Sequence, residues 1–125
     1  MKSKNILFPG KFQPPHLGHI LTILKLYRKY NKITIAITDD KPEVMSQLKR
    51  KKIFDDIFKD FIAIETVIVN GTIEGCSSLD NLPDFDICIS GNKEVIKKIT
   101  ELGKEAKFIK RSFPKLYSGT KMRQK

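Results

Sequence analysis

The only two histidines of the chain, His16 and His19, stand three residues apart in the string Gly10-Lys11-Phe12-Gln13-Pro14-Pro15-His16-Leu17-Gly18-His19. On a helix that spacing puts both imidazoles on one face. Gly18, between them, lets a ligand approach the backbone closely. A short apolar run ending at Pro9 precedes the string and a helical pattern follows it. The imidazoles then sit at a helix N-terminus, whose N–H groups and partial positive charge bind phosphate. Two imidazoles, Lys11 and such a terminus describe a phosphoryl-transfer site, one that works by positioning and by neutralising charge on the reacting phosphorus. Other readings stay open. Histidines at a helix start can be capping or solvated groups, and an HxxH pair can hold a metal, although no Cys, Asp or Glu nearby completes a set.

A second string lies at the far end: Tyr117-Ser118-Gly119-Thr120-Lys121-Met122-Arg123. Ser118 has the character of an N-cap, with Gly119 and Thr120 opening a helix. Its hydroxyls, with Lys121 and Arg123, would supply donors to an anion. Taken alone, the string could equally be a basic tail.

Strand and helix patterns alternate between the two strings. Runs at 5–9, 32–38, 63–69, 85–90 and 106–110 read as strands, the second being the richest in β-branched residues. Helical spacing covers 19–30, then 43–61 with Met45, Leu48, Ile53, Ile57 and Phe58 on one side, then a segment with Val95, Ile96, Ile99 and Leu102 that stops at Gly103. Residues 119–124 could begin a last short helix. The alternation predicts one α/β domain over residues 1–125: a single Rossmann-like unit with a five-stranded parallel sheet and helices on both faces. Such sheets bind ligands at the carboxyl ends of their strands, where strand order reverses. Residues 70–84 read as a long loop of the kind that often carries function.

Composition narrows the class. The 125 residues are 40% hydrophobic and 30% charged, a globular balance. No apolar run approaches the ~20 residues of a membrane span, and the N-terminal apolar run is too short for a signal peptide. The expectation is a cytoplasmic protein with no membrane partner. Cys76 and Cys88 show no metal spacing and read as reduced thiols, Cys88 in the core. The net charge of +10 calls for a polyanionic partner or serves solubility alone. The run Lys49-Arg50-Lys51-Lys52 reads first as a solvated face. Asp39 and Asp40 could bind acceptor hydroxyls or form a turn before Pro42. Phe12, Tyr27 and Tyr30 suit the core or its rim.

The two strings together carry a family resemblance. GKFQPPHLGH resembles the HxGH signature of the cytidylyltransferase-like nucleotidyltransferase superfamily, and YSGTKMR resembles its C-terminal SxTxxR signature, in the expected order and over nearly the whole chain. The wording of both motifs, with Gly91-Asn92 after the fourth strand, is most similar to nicotinamide mononucleotide adenylyltransferases. The length and the Ile37-Thr38-Asp39-Asp40 strand end are more similar to glycerol-3-phosphate cytidylyltransferases. The resemblance implies that His16 and His19 hold a triphosphate, with His19 stabilising the pentacoordinate transition state. It implies that Lys11 grips phosphate oxygens, that Ser118 and Thr120 contact the β- and γ-phosphates beside Arg123, and that Gly91 and Asn92 lie near base or ribose. Gly10, Phe12, Gly18 and Gly119 join the nucleotide-binding set, and Asp39 and Arg50 the acceptor side. Mg²⁺ would ride on the triphosphate.

The function so implied is transfer of AMP or CMP from ATP or CTP to a phosphomonoester, with release of pyrophosphate and with a homodimer compatible with the family. Two alternatives belong to other classes: a silent nucleotide-binding module, and a nucleic-acid binder suggested by the charge. The second lacks the aromatic-rich strands of a small RNA reader.

Overall fold

A computed structural model describes residues 4–12, 15, 17–30, 32–39, 45–73 and 82–109. The elements run β1 (Asn5–Gly10), α1 (Leu17–Tyr27), β2 (Lys32–Ile37), α2 (Gln47–Ile57), β3 (Ile64–Ile68), β4 (Ile87–Ser90), α3 (Lys93–Glu101) and β5 (Glu105–Phe108). The five strands form one parallel sheet in the order β3-β2-β1-β4-β5. The expected α/β architecture is the observed one.

Strand periodicity explains the two layers. Ile6, Phe8, Ile33, Ile35, Ile37, Ile87 and Ile89 face one side, where they pack with Ile23 and Leu26 of α1 and Phe54 and Phe58 at α2. Leu7, Ala36 and Cys88 face the other, against Val95 and Ile99 of α3. A sheet covered on both faces buries consecutive positions, and residues 33–37 and 87–90 are buried throughout, Thr34 and Ser90 included.

Local chemistry sets the element ends. Asn92 caps α3 by accepting from the Glu94 N–H at 2.9 Å. Gly103, at φ +93°, closes α3 with Lys104 N donating to Ile99 O and Gly103 N to Thr100 O. The expected stop at Gly103 is therefore observed.

Helix α2 departs from the expected pattern. It spans Gln47–Ile57, shorter than 43–61, and its buried residues are Arg50 and Phe54. Leu48 is 73% exposed and Ile57 40% exposed, so of the expected apolar face these two point away from the core while Phe58 packs into it. The basic run also divides: Lys49 and Lys52 are exposed, while Arg50 is fully buried. The cause is the i, i+4 stripe of Arg50, Phe54 and Phe58, which faces the sheet because the arginine has backbone acceptors there.

Pro9 stands in the central strand, where a residue without an N–H is normally excluded. The Gly10 carbonyl points to β2, where it accepts from Thr38 N at 3.0 Å. By alternation, the Pro9 nitrogen faces β4. The β1–β4 ladder pairs only Ile6 with Ile87 and Leu7 with Cys88. Proline thus falls beyond the last rung, where the two strands have ceased to pair.

Candidate active site at the carboxyl ends of β1 and β4

Strand order reverses between β1 and β4: the chain proceeds outward through β2 and β3 on one side and β5 on the other. A parallel sheet leaves a crevice at such a point. Gly10 ends β1 and Gly91 follows Ser90 at the end of β4, so both lie at the carboxyl edge of the sheet beside this reversal. The β1–α1 turn carries Gly10, Lys11, Phe12, Gly18 and His19; the β4–α3 turn carries Gly91 and Asn92; Asp39 follows β2. Residues far apart in sequence therefore share one end of the sheet. His16, Asp40, Ser118, Gly119, Thr120 and Arg123 lie outside the described residues.

Helix α1 directs its N-terminus to this end, with Leu17, Gly18 and His19 in its first turn. Gly18 is buried and its carbonyl accepts from Thr22 Oγ1 at 2.9 Å. His19 is half-buried, and Lys11 is exposed at the rim. The Asn92 side chain serves the cap of α3, while its own N–H donates to Ser90 Oγ at 3.0 Å. That bond ties the β4 end to the α3 start and keeps Gly91 exposed.

Phe12 is 4% exposed and adopts φ +54°, a left-handed conformation. Its ring lies 4.8 Å from the His19 ring at 89° and 5.0 Å from the Phe54 ring at 84°. Both are edge-to-face pairings. The ring also folds back over Gly10, where a Cβ would come within 2.8 Å of Phe12 Cζ. Gly10 is required here for space. The Phe12 side chain is thus part of the core beneath the site.

Arg50 Nη1 donates to Lys11 O at 2.6 Å and to Thr38 O at 3.2 Å, and Nε to Ser46 O at 3.3 Å. The guanidinium ties the turns after β1 and β2 to the start of α2. Its forked donors match several carbonyls at once, which an ammonium group does less well.

Sequence reasoning missed two residues that shape this end. Thr38 Oγ1 donates to Gly10 O at 3.2 Å, beside the Thr38 N–H bond to the same oxygen. Gln47 Nε2 donates to both Ile37 O and Val69 O at 3.0 Å, joining the ends of β2 and β3. Asp39 N adds a bond to Gly71 O at 3.0 Å. The available signal was the position of Gln47, one residue after an N-capping Ser46.

Among the described residues no group of three or more His, Cys, Asp or Glu side chains could hold a metal ion. Among the same residues no helix is long and apolar enough to cross a membrane. Cys88 is a buried free thiol, and burial pushes its pKa from 9.0 up to about 12. Cys76 lies outside the described residues.

Comparison with known proteins adds a lineage. A family described as cytidylyltransferase-like matches residues 7–125. The nicotinamide-nucleotide adenylyltransferase of Sulfurisphaera tokodaii is 29% identical over 131 residues, covering 94% of this chain and 76% of that protein. A phosphopantetheine adenylyltransferase of Natranaerobius thermophilus is 28% identical over 72 residues, 56% of this chain and 44% of that protein. A crystal structure of a bifunctional NMN adenylyltransferase/ADP ribose pyrophosphatase from Francisella tularensis, complexed with AMP and a manganese ion, superposes with a TM-score of 0.69 at 16% identity. That match covers 98% of this chain and 41% of the Francisella chain, and it shows a shared fold.

Proposed function

The chain belongs to the cytidylyltransferase-like family, and on that premise we propose that it is a nucleotidyltransferase that moves AMP from ATP to a phosphomonoester, with nicotinamide mononucleotide the foremost acceptor. The observation that carries this reading is that Gly10, Lys11 and Phe12 at the end of β1, with Gly18 and His19 at the start of α1, lie beside the strand-order reversal, at the sheet end that also carries Gly91. The names of the relatives favour ATP over CTP.

In this reading the acceptor's phosphate oxygen attacks the α-phosphorus of ATP. A new P–O bond forms, the bond to the β-phosphate oxygen breaks, and pyrophosphate leaves. The nucleophile is already anionic, so no side chain forms a covalent intermediate. His16 and His19 hold the triphosphate, and His19 meets the charge that builds at the α-phosphorus. The α1 N-terminus and Lys11 add positive potential. Ser118, Thr120 and Arg123 hold the β- and γ-phosphates, with Gly119 allowing close approach. Gly91 and Asn92 border the nucleoside, and Asp39 the acceptor. Mg²⁺ enters as part of the substrate, carried by the triphosphate.

The test is pyrophosphate release with ATP and CTP crossed against nicotinamide mononucleotide, glycerol phosphate, ethanolamine phosphate, phosphopantetheine and sugar phosphates. Release is expected with ATP and nicotinamide mononucleotide. No release from any pair would end the transferase reading, and release only with CTP would reassign the base.

A further inference from the structure

We propose that Phe12 is a positioning residue that sets the orientation of the His19 imidazole, and that Arg50 and Phe54 of α2 hold Phe12 in the conformation this needs. The inference deepens the reading above and rests on it for the role of His19.

A bulky side chain rarely adopts a left-handed backbone, and such a conformation persists only where its surroundings over-determine it. At Phe12 the surroundings do so from both sides of the φ bond. On the peptide preceding it, the Lys11 carbonyl is fixed by Arg50 Nη1 at 2.6 Å. Beyond it, the ring is held between Gly10, whose missing Cβ makes room, and the edge-to-face ring of Phe54. Arg50 and Phe54 are the buried residues of α2, one turn apart. The packed face of α2 therefore grips the β1–α1 turn at its peptide and at its ring.

The Phe12 ring also meets Phe8, 5.9 Å away, and His19, 4.8 Å away at 89°. A perpendicular phenyl ring packed against the half-buried His19 imidazole limits the directions in which its ring nitrogens can point. A transition-state donor depends on this direction, because stabilisation needs the donor aimed where charge develops.

The experiment is a double-mutant cycle between Phe12→Leu and His19→Ala, read as kcat and KM separately. Phe12→Leu keeps the buried slot apolar. It should lower kcat by about tenfold or more, as misplacement of a reacting group does, with KM for the triphosphate near that of the parent. In the His19→Ala background the same change should have little effect on kcat. Arg50→Lys, which can still donate to the Lys11 carbonyl, should retain more kcat than Arg50→Met. In the free protein, the ring-current displacement of the His19 ring protons in NMR spectra should shrink in Arg50→Met, which keeps the Phe12 ring but removes the bond that holds its turn. An equal kcat loss in both backgrounds, or unchanged His19 ring shifts, would overturn the proposal. An inactive parent, or full turnover in His19→Ala, would instead count against the functional reading, and the ring shifts would still decide whether Phe12 orients His19.

Discussion

Arg50 Nη1 reaches the carbonyl oxygen of Lys11 at 2.6 Å across a separation of 39 residues, and the side chain that makes this bond is fully buried. A cation taken out of water costs free energy unless its donors are satisfied. Here the satisfied donors draw three backbone segments together beneath one end of the sheet.

Removing that guanidinium should destabilise the fold as well as the site. The Thr38 carbonyl that it reaches is buried, and an unpaired buried acceptor costs about 1–3 kcal/mol. Arg50→Met is expected to lower stability by at least about 2 kcal/mol in urea unfolding, with the lost packing included. An unchanged unfolding midpoint would show that the buried guanidinium contributes nothing net.

The space at Gly10 is spoken for by the Phe12 ring tip. Gly10→Ala should cost about 1–3 kcal/mol, as overpacking a filled site does. The double variant Gly10→Ala/Phe12→Leu should recover part of that loss, with a coupling above about 0.5 kcal/mol. Strict additivity would mean that the clash is relieved elsewhere.

His19→Ala should reduce pyrophosphate release by about 10²–10³, the usual cost of one transition-state donor, with the folded circular-dichroism spectrum retained. Arg123→Ala should weaken triphosphate binding in calorimetry while leaving the melt alone. Triphosphate affinity equal to that of the parent in Arg123→Ala would detach the C-terminal string from the site.

Cys88 predicts an alkaline instability. Its pKa is raised by burial from 9.0 to about 12, so between those values the unfolded chain has released a proton that the folded chain keeps. Its contribution is complete below pH 9.0 and is lost as pH rises toward about 12. The slope is at most about 1.4 kcal/mol per pH unit. Urea unfolding of the parent and Cys88→Ala across this range is the measurement: the parent should lose more stability than the variant. Parallel curves would place the thiol in contact with solvent. At about pH 8 Cys88 of the folded protein, read in a Cys76→Ala variant, should also react slowly with a thiol reagent.

The sequence by itself determined the parallel α/β order and the strings that carry the family resemblance, because these are local. Period-2 and period-3.6 patterns and the Gly103 stop act within a few residues. The tertiary structure alone decided what the packed face of α2 is for. Arg50 in a lysine-rich run looks solvated until the sheet brings the Lys11 and Thr38 carbonyls within its reach. Phe12 reads as an ordinary apolar residue until Gly10 and Phe54 hold it at φ +54° against His19. Burial and backbone acceptors come from chain segments dozens of residues away, and no local pattern encodes which carbonyl a buried guanidinium will meet.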